Sequence, residues 1–390
     1  MFKFKLSIPK LNKKEIEAAA KAIKTGWIST AGKDVNKFEK KICKITKAKY
    51  AVALNSGTSS IHLALVASNV KKDDEVLVQS LTYVATINPI LYVGASPIFF
   101  DVDKNFNMKL EDVIIFLKNN TYMKNRKCFN KKTKKIIKAI IVTHLWGGAQ
   151  NIDKIKKICK SKKISIIEDA AESFGVKISK GKNLISSGCQ GDFGCYSFNG
   201  NKIVTTGSGG AIVTNFKKSY NYLNYVATQA RNDSFHYIHN EMGYNYKLNN
   251  LLSCIGISQL QKLKVFIKKK EIIHYHYIKE LKNLDGVKIL NPGSDILSNY
   301  WFNIMTFKNF NKNKLKKFRT FCNKNKIEIR QVWRPAHTHK YLNNFQTYKT
   351  NNSFKLYQNS FCLPSSLNLE KKNLVFITNK IKDFCKKNLV

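Results

Sequence analysis

The sequence predicts an α/β protein. A large domain holds a mostly parallel seven-stranded sheet flanked by helices, and a smaller C-terminal α+β domain follows. Three observations carry this expectation. Seven short apolar runs, rich in β-branched residues, occur between residues 50 and 214. Patterns of helical period separate most of them, as crossovers between parallel strands require. Beyond about residue 215 this alternation gives way to long helical stretches and a few short β-like runs.

The elements follow in chain order. The start, "MFKFKLSIPKLNKKEIEAAAKAIKTGW", reads as an amphipathic helix and lacks the long apolar core of a secretory signal. "YAVALNS" is a strand, and "GTSSIHLALVAS" is a helix entered through Gly57 and Thr58. "DEVLVQS" is the second strand; "TYVATINPILYVG" is a loop and helix leading to the third, "ASPIFFDVD". The polar, charged segment 118–137 reads as a solvated loop. "IIKAIIVTHLWG" is a strand, "NIDKIKKICKSK" a helix, and "ISIIEDAAESFG" begins extended and turns helical. "GCYSFNG" and "GGAIVTN" complete the seven strands. A long helical stretch from "NNLLSCIGISQL" to "IKELKNL" then leads into "SNYWFNIMTF" and "IEIRQVW". The expected division is a cofactor-binding domain over 1–250 and a small domain over 251–390.

Composition excludes several classes. With 43% hydrophobic and 24% charged residues the chain is globular rather than disordered. No apolar run approaches the length of a bilayer-spanning helix. The formal charge of +43, from 68 basic and 25 acidic residues, first suggests nucleic acid. Only five of the basic residues are arginine, however (126, 231, 319, 330 and 334), and the lysines are spread beside Asn and Ile throughout. Base and phosphate recognition favours arginine, so the charge reads as compositional bias and no nucleic-acid partner is expected. Nine cysteines form no C-x-x-C pair and read as free thiols in a reducing cytosol; no metal site is expected. His274 and His276, on a helical pattern, read as surface residues.

Three places carry chemistry. In "NSGTSSIHLAL" a strand ends, Gly57 permits a tight turn, and Thr58, Ser59 and Ser60 open a helix whose free N–H groups suit a phosphate. A plain helix cap explains the same residues. In "ISIIEDAAESFG" an apolar strand ends at Asp169, where open α/β sheets bind ligands. A carboxylate there is costly unless it meets a cation. In "CYSFNGNKIVTTGSGGAIV", Lys202 stands among small polar residues between apolar strands, unlike the chain's other lysines. A buried amine gives up its proton readily and becomes nucleophilic. A phosphate turn, a strand-end Asp and a Lys, in this order, suit pyridoxal phosphate.

These segments resemble the DegT/DnrJ/EryC1/StrS sugar aminotransferases, pyridoxal-phosphate enzymes of the aspartate-aminotransferase fold type. The resemblance runs through "GWISTAGKDVNKFEKKI", "NSGTSSIHLAL", "LTYVATINPILYVGASPIFFDVD", "THLWGGAQNIDKI", "IIEDAAESFG", "GDFGCYSFNGNKIVTTGSGGAIVTN", "GYNYKLNNLLSCIGISQL" and "LPSSL". It implies that Lys202 forms the Schiff base and moves the proton, and that Asp169 holds the pyridine nitrogen protonated. Glu172 would lie near the ring hydroxyl and Tyr83 on the ring face. Gly57, Thr58, Ser59 and Ser197 would bind the phosphate. Asn245 would reach the phosphate of a partner subunit's cofactor, making the enzyme a homodimer with shared sites. "TTGSGG", "SFNGNK" and "WGGAQNID" depart from the commoner family patterns without removing a catalytic group.

The resemblance further implies transfer of an amino group from L-glutamate to a nucleotide-linked keto sugar, in the cytoplasm. The lysine motif, "SNYWFN" and "IRQVWRPAHTHKYL" are most similar to members that aminate carbon 4 of a UDP-linked 2-acetamido-2,6-dideoxy-4-ketohexose on legionaminic-acid or bacillosamine-type routes. A GDP-perosamine-type substrate is the alternative, as is a non-transaminating sugar sensor. Dehydratase relatives carry His in place of the lysine, which Lys202 argues against. His144, Arg330, Trp333, Arg334 and His337 are the candidate substrate contacts: Arg suits a diphosphate, and Trp stacks on a flat ring.

Overall fold

The computed structural model describes residues 2–308 and 311–388. Its main sheet runs, in spatial order, Tyr50–Leu54, Gly210–Thr214, Phe193–Ser197, Ser165–Asp169, Ile137–Thr143, Glu75–Gln79, Ser96–Phe100 and Thr347–Tyr348. The seven expected strands are all present. The eighth is a two-residue edge strand contributed from far along the chain. Gly210–Thr214 is antiparallel to both its neighbours, and the other pairings are parallel.

Alternation along the strands explains the three layers. Val52, Val76, Val78, Phe99, Ile141 and Ile167 pack on one face under the helices Gly57–Ala67 and Lys217–Ala227. Leu77, Ile98, Ile140, Val142 and Ile166 point to the other face, against the helices Leu110–Asn119 and Asp153–Lys162. Ala51, Ala53, Ala211 and Val213 share that second side with the helix Lys33–Thr46. Strands covered on both faces read as apolar runs rather than alternating ones, which is why the sequence signal was strong.

A second, antiparallel sheet orders Val287–Ile289, Asn303–Phe307, Ser360–Leu363 and Arg330–Gln331. Its core joins the helices Leu263–Leu281, Lys312–Lys324 and Lys371–Asn388 through Tyr277, Phe318, Ile377 and Ile381. The expected long helix is broken at Lys262 into Asn250–Gln261 and Leu263–Leu281. Phe4 bridges to Ile327, which ties the N-terminal segment to the C-terminal part of the chain, and Thr347–Tyr348 pairs with Ser96–Phe100 at the edge of the main sheet.

Two expectations are corrected. Within 118–137, Thr121–Lys124 and Lys127–Asn130 form an antiparallel hairpin. Asn125 and Arg126, with φ of 49° and 58°, make its two-residue turn, a conformation whose twist matches the strands. Tyr122 stacks on Phe129 across the pair with ring centroids 5.4 Å apart. His274 is buried rather than on the surface: its Nδ1 lies 2.7 Å from Asn303 Oδ1 and its ring stacks on Tyr300. Among the described residues no helix is long and apolar enough to cross a membrane.

Candidate active site

Parallel strands bring their carboxyl ends to one edge, and the chemistry-bearing residues follow from that fact. Asp169 closes Ser165–Asp169, in register with Thr143 on one side and Cys195 on the other. Ser197 closes Phe193–Ser197 two residues past Cys195, on the same face. The chain then turns through a loop to Lys202, whose N–H donates to Asn199 O at 3.0 Å. Thr205 holds this loop closed: its hydroxyl donates to Phe198 O and accepts from Gly207 N. A cavity of about 350 Å³ lies above these ends. Gly57, Thr58, Tyr83, Asp169, Glu172, Ser197, Lys202, Arg330 and Trp333 all line it.

Asp169 is 4% exposed. Thr86 donates its hydroxyl to Oδ2 at 2.6 Å and Ala171 N donates to Oδ1 at 3.1 Å. Burial pushes its pKa up, against those hydrogen bonds and the nearby charge of Lys202. Lys202 shows the opposite shift. Burial pulls its pKa down, while Glu172 and Asp169 pull it back up. Its Nζ lies 4.0 Å from the centroid of the Trp301 ring. No ion pair between Lys202 and either carboxylate forms among the described residues, so both stay available to a ligand.

Glu172 accepts from Trp146 N at 2.8 Å and from Trp333 Nε1 at 3.0 Å. Burial raises its pKa to about 7. Trp146 delivers its N–H from a left-handed conformation, φ 61°, which a bulky residue adopts only when its surroundings impose it. Its neighbours supply that constraint. Trp301 and Trp333 stack against it with ring centroids 6.4 Å and 5.1 Å away, and Tyr83 packs at a tilt against Trp333 at 5.0 Å.

At the other wall, Ser56 caps the helix Gly57–Ala67 by accepting from Ser59 N. That leaves the first-turn N–H groups of Gly57 and Thr58 ahead of the helical ladder and facing the cavity. The packing is tight: a Cβ at Gly57 would stand 2.9 Å from Ser197 Cβ, and one at Gly210 would stand 2.3 Å from Ser56 O. The wall is therefore closed except toward the cavity.

Four expected contacts lie elsewhere. Ser59 is buried beneath the wall, donating to Asn55 Oδ1 at 2.7 Å within the helix cap. His144 is a satisfied core histidine, with Nε2 2.8 Å from Glu168 Oε2 and Nδ1 accepting from Gln150 N. Arg334 turns back on its own loop, bonding Thr338 Oγ1 at 2.8 Å and Thr338 O at 3.2 Å. His337 bonds Ser80 Oγ. Asn245 is exposed and outside this protomer's cavity; its carbonyl accepts from Asn55 Nδ2. Sequence reasoning in turn missed Thr86, Trp146, Asn201 and Trp301. Three of the chain's four tryptophans occur in loop-like segments after strands, "THLWGG", "SNYWFN" and "RQVWRP", and that scarcity was the available signal.

The model of the DegT/DnrJ/EryC1/StrS aminotransferase family matches residues 9–382. The chain belongs to this family. It is 36% identical over 372 residues to a putative pyridoxal phosphate-dependent aminotransferase EpsN of Bacillus subtilis, covering 94% of this chain and 92% of that one. It is 33% identical over 379 residues to a GDP-perosamine synthase of Escherichia coli O157:H7, covering 96% and 97%. A crystal structure of a family aminotransferase from Brucella abortus superposes with a TM-score of 0.85 at 24% identity, covering 95% of each chain, and shares the fold.

The chain is thus a pyridoxal phosphate-dependent sugar aminotransferase of fold type I. Its residues fit the cofactor. Asp169 is a buried carboxylate with no ion-pair partner among the described residues, as a protonated ring nitrogen requires. Lys202 is an enclosed amine in the same cavity. The Gly57–Thr58 turn and Ser197 offer donors where a phosphate has room.

Proposed function

We propose that this enzyme moves the amino group of L-glutamate to carbon 4 of a nucleotide-linked keto-deoxysugar, a UDP-2-acetamido-2,6-dideoxy-4-ketohexose, for surface polysaccharide or nonulosonic acid synthesis in the cytoplasm. The observation that carries the reading is Lys202 and Asp169 facing one cavity with no ion pair between them. Pyridoxal phosphate, when bound, supplies an electron sink for the charge that develops on the reacting carbon. Lys202 would hold the cofactor through its aldehyde and would take and return the proton at the substrate carbon, a task that the lowering of its pKa by burial favours. Asp169 keeps the proton on the ring nitrogen, oriented by Thr86 and Ala171.

Glu172, whose pKa burial raises to about 7, would lie near the ring hydroxyl, and Tyr83 would cover the ring face. Gly57, Thr58 and Ser197 hold the phosphate, with Ser59 setting the cap that positions them. Asn245, exposed on this protomer, reaches the cofactor phosphate of a second copy, which makes the working unit a homodimer. Residues 1–250 form the cofactor-binding domain in this reading, and 251–390 the small domain.

The subgroup motifs around Lys202 and Trp333 support the UDP-linked substrate. The E. coli relative's name favours a GDP-linked 4-keto sugar as the second reading. Incubation with glutamate and a panel of UDP- and GDP-linked keto sugars, read by product mass and by the position of the new amine in NMR, decides between them. Borohydride reduction of the holoenzyme followed by peptide mass spectrometry should place the cofactor on Lys202. An adduct on any other lysine overturns the assignment.

A further inference from the structure

The helix Leu263–Leu281 carries three polar side chains on the face it buries. Lys270, His274 and Tyr277 lie four and three residues apart, so they share that face. Lys270 is 1% exposed. An amine in such a place is costly unless acceptors receive its protons. All three side chains turn to two stretches of chain, 301–303 and 364–365. Lys270 Nζ donates to Trp301 O at 2.9 Å and to Ser365 O. His274 Nδ1 meets Asn303 Oδ1, and Asn303 Nδ2 donates to Ser365 Oγ at 3.0 Å. Tyr277 Oη donates to Pro364 O at 2.8 Å. The motif "LPSSL" thereby finds its place: the chain leaves the strand Ser360–Leu363 there, and its buried carbonyls need donors.

Trp301 is where this joint meets the chemistry. It stands two residues ahead of the strand Asn303–Phe307, so side chains hold its backbone. Asn299 Oδ1 accepts from its N–H at 2.9 Å, and Lys270 donates to its carbonyl. Asn299 Nδ2 in turn donates to Glu172 O and Phe174 O, just past the strand that ends at Asp169. Trp301 reaches Lys202 in two ways. Its ring centroid lies 4.0 Å from Lys202 Nζ, and its Nε1 donates at 2.7 Å to the carbonyl of Asn201, the preceding residue. We infer that Lys270 is a positioning residue for Lys202: by fixing the Trp301 carbonyl it sets both the aromatic face over Nζ and the anchor of the Lys202 loop. This rests on Lys202 as the lysine that carries the cofactor. Lys270 is not part of the cavity wall and acts through Trp301, which is.

Trp301 acts on Lys202 electrostatically. An aromatic face stabilises a positive charge lying over it, more so where water is excluded. Glu172 and Asp169 also favour the charged form of this nitrogen, and Arg330 and Tyr83 are the other titratable residues of the cavity wall. Among these influences the ring is the one that depends on Lys270. Without the Lys270 donors the Trp301 carbonyl loses a buried partner and the ring is free to shift. A positive charge on the nitrogen at position 202 is then given up at lower pH.

The test reads the visible absorbance band of the holoenzyme against pH, without substrate. Lys202→Ala first asks whether that band depends on Lys202. Lys270→Met should lower the midpoint of the band's pH titration by about half a unit or more. Lys270→Arg keeps charged donors and should restore most of the shift. Trp301→Phe, with a weaker face and no indole N–H, should lower the midpoint by itself, and Lys270→Met should add little on top of it. Tyr277→Phe removes another donor from the same helix face, so it should cost stability in urea and leave the midpoint in place. An unshifted midpoint in Trp301→Phe, or in folded Lys270→Met, overturns the inference, as does an equal shift in Tyr277→Phe. A band that survives Lys202→Ala instead removes the cofactor assignment on which the inference rests.

Discussion

Glu172 offers a pH signature that a single substitution isolates. Its carboxyl is 5% exposed, and burial raises its pKa from 4.5 to about 7. In the unfolded chain the same group titrates near its ordinary value. Between pH 4.5 and about 7 the folded protein therefore binds more protons than the unfolded one, and stability contributed by the protonated form is lost as pH rises through that window. At 1.36 kcal/mol per unit, the shift corresponds to about 3 kcal/mol. Glu172→Gln removes the titration. It also costs one of the two acceptors that serve Trp146 N and Trp333 Nε1, a penalty that does not change with pH. The assay is urea unfolding of cofactor-free protein at pH 5 and pH 8, comparing wild type with the variant. The pH-independent penalty cancels in the double difference, which should leave wild type roughly 2–3 kcal/mol more sensitive to the pH rise. Equal pH dependence in the two proteins would refute the argument that burial, rather than the charge of Lys202, governs this carboxyl.

Other outcomes follow from the same geometry. Asp169→Asn keeps the shape but cannot balance a ring cation, so kcat should fall roughly a hundredfold or more with the fold intact by circular dichroism. Gly57→Ala places a Cβ 2.9 Å from Ser197 Cβ, and should weaken cofactor retention measured by dialysis. Gly57→Ala combined with Ser197→Gly should lose less than the sum of the two single losses, whereas additive losses would show that the two sites do not touch. Lys270 is buried, with Trp301 O and Ser365 O as its acceptors among the described residues, and burial lowers its pKa to about 7. The folded state thus sheds this proton before the unfolded state does, and stability from this group rises with pH between about 7 and 10.5. Lys270→Met should flatten that rise in unfolding midpoints taken at pH 7 and pH 9.

The large sheet was legible because its strands are buried on both faces and so appear as unbroken apolar runs. Lys202 and Asp169 were legible because each breaks such a pattern at a strand end. His144 misled the reading for the same reason: it also follows an apolar strand, but its side chain turns to Glu168 inside the core. Arg334 and His337 share a motif with Arg330 and Trp333, yet the chain leaves the cavity wall between them and bonds Arg334 to Thr338. The hairpin in 118–137 was missed because its polar strands carry little hydrophobic signal, and two left-handed residues, neither of them glycine, make its turn.

The order of residues by itself determined the layered α/β architecture, the helix that starts at Gly57, and the three groups able to hold and tune pyridoxal phosphate, since each depends on local periodicity or on one conspicuous side chain. Only tertiary structure decided which aromatic rings enclose Lys202, that Thr86 orients Asp169, and that Asn201, Arg330 and Trp333 line one cavity. Those arrangements join residues roughly 80 to 130 positions apart, and proximity of that kind arises from how sheets and helices pack, not from any spacing along the chain.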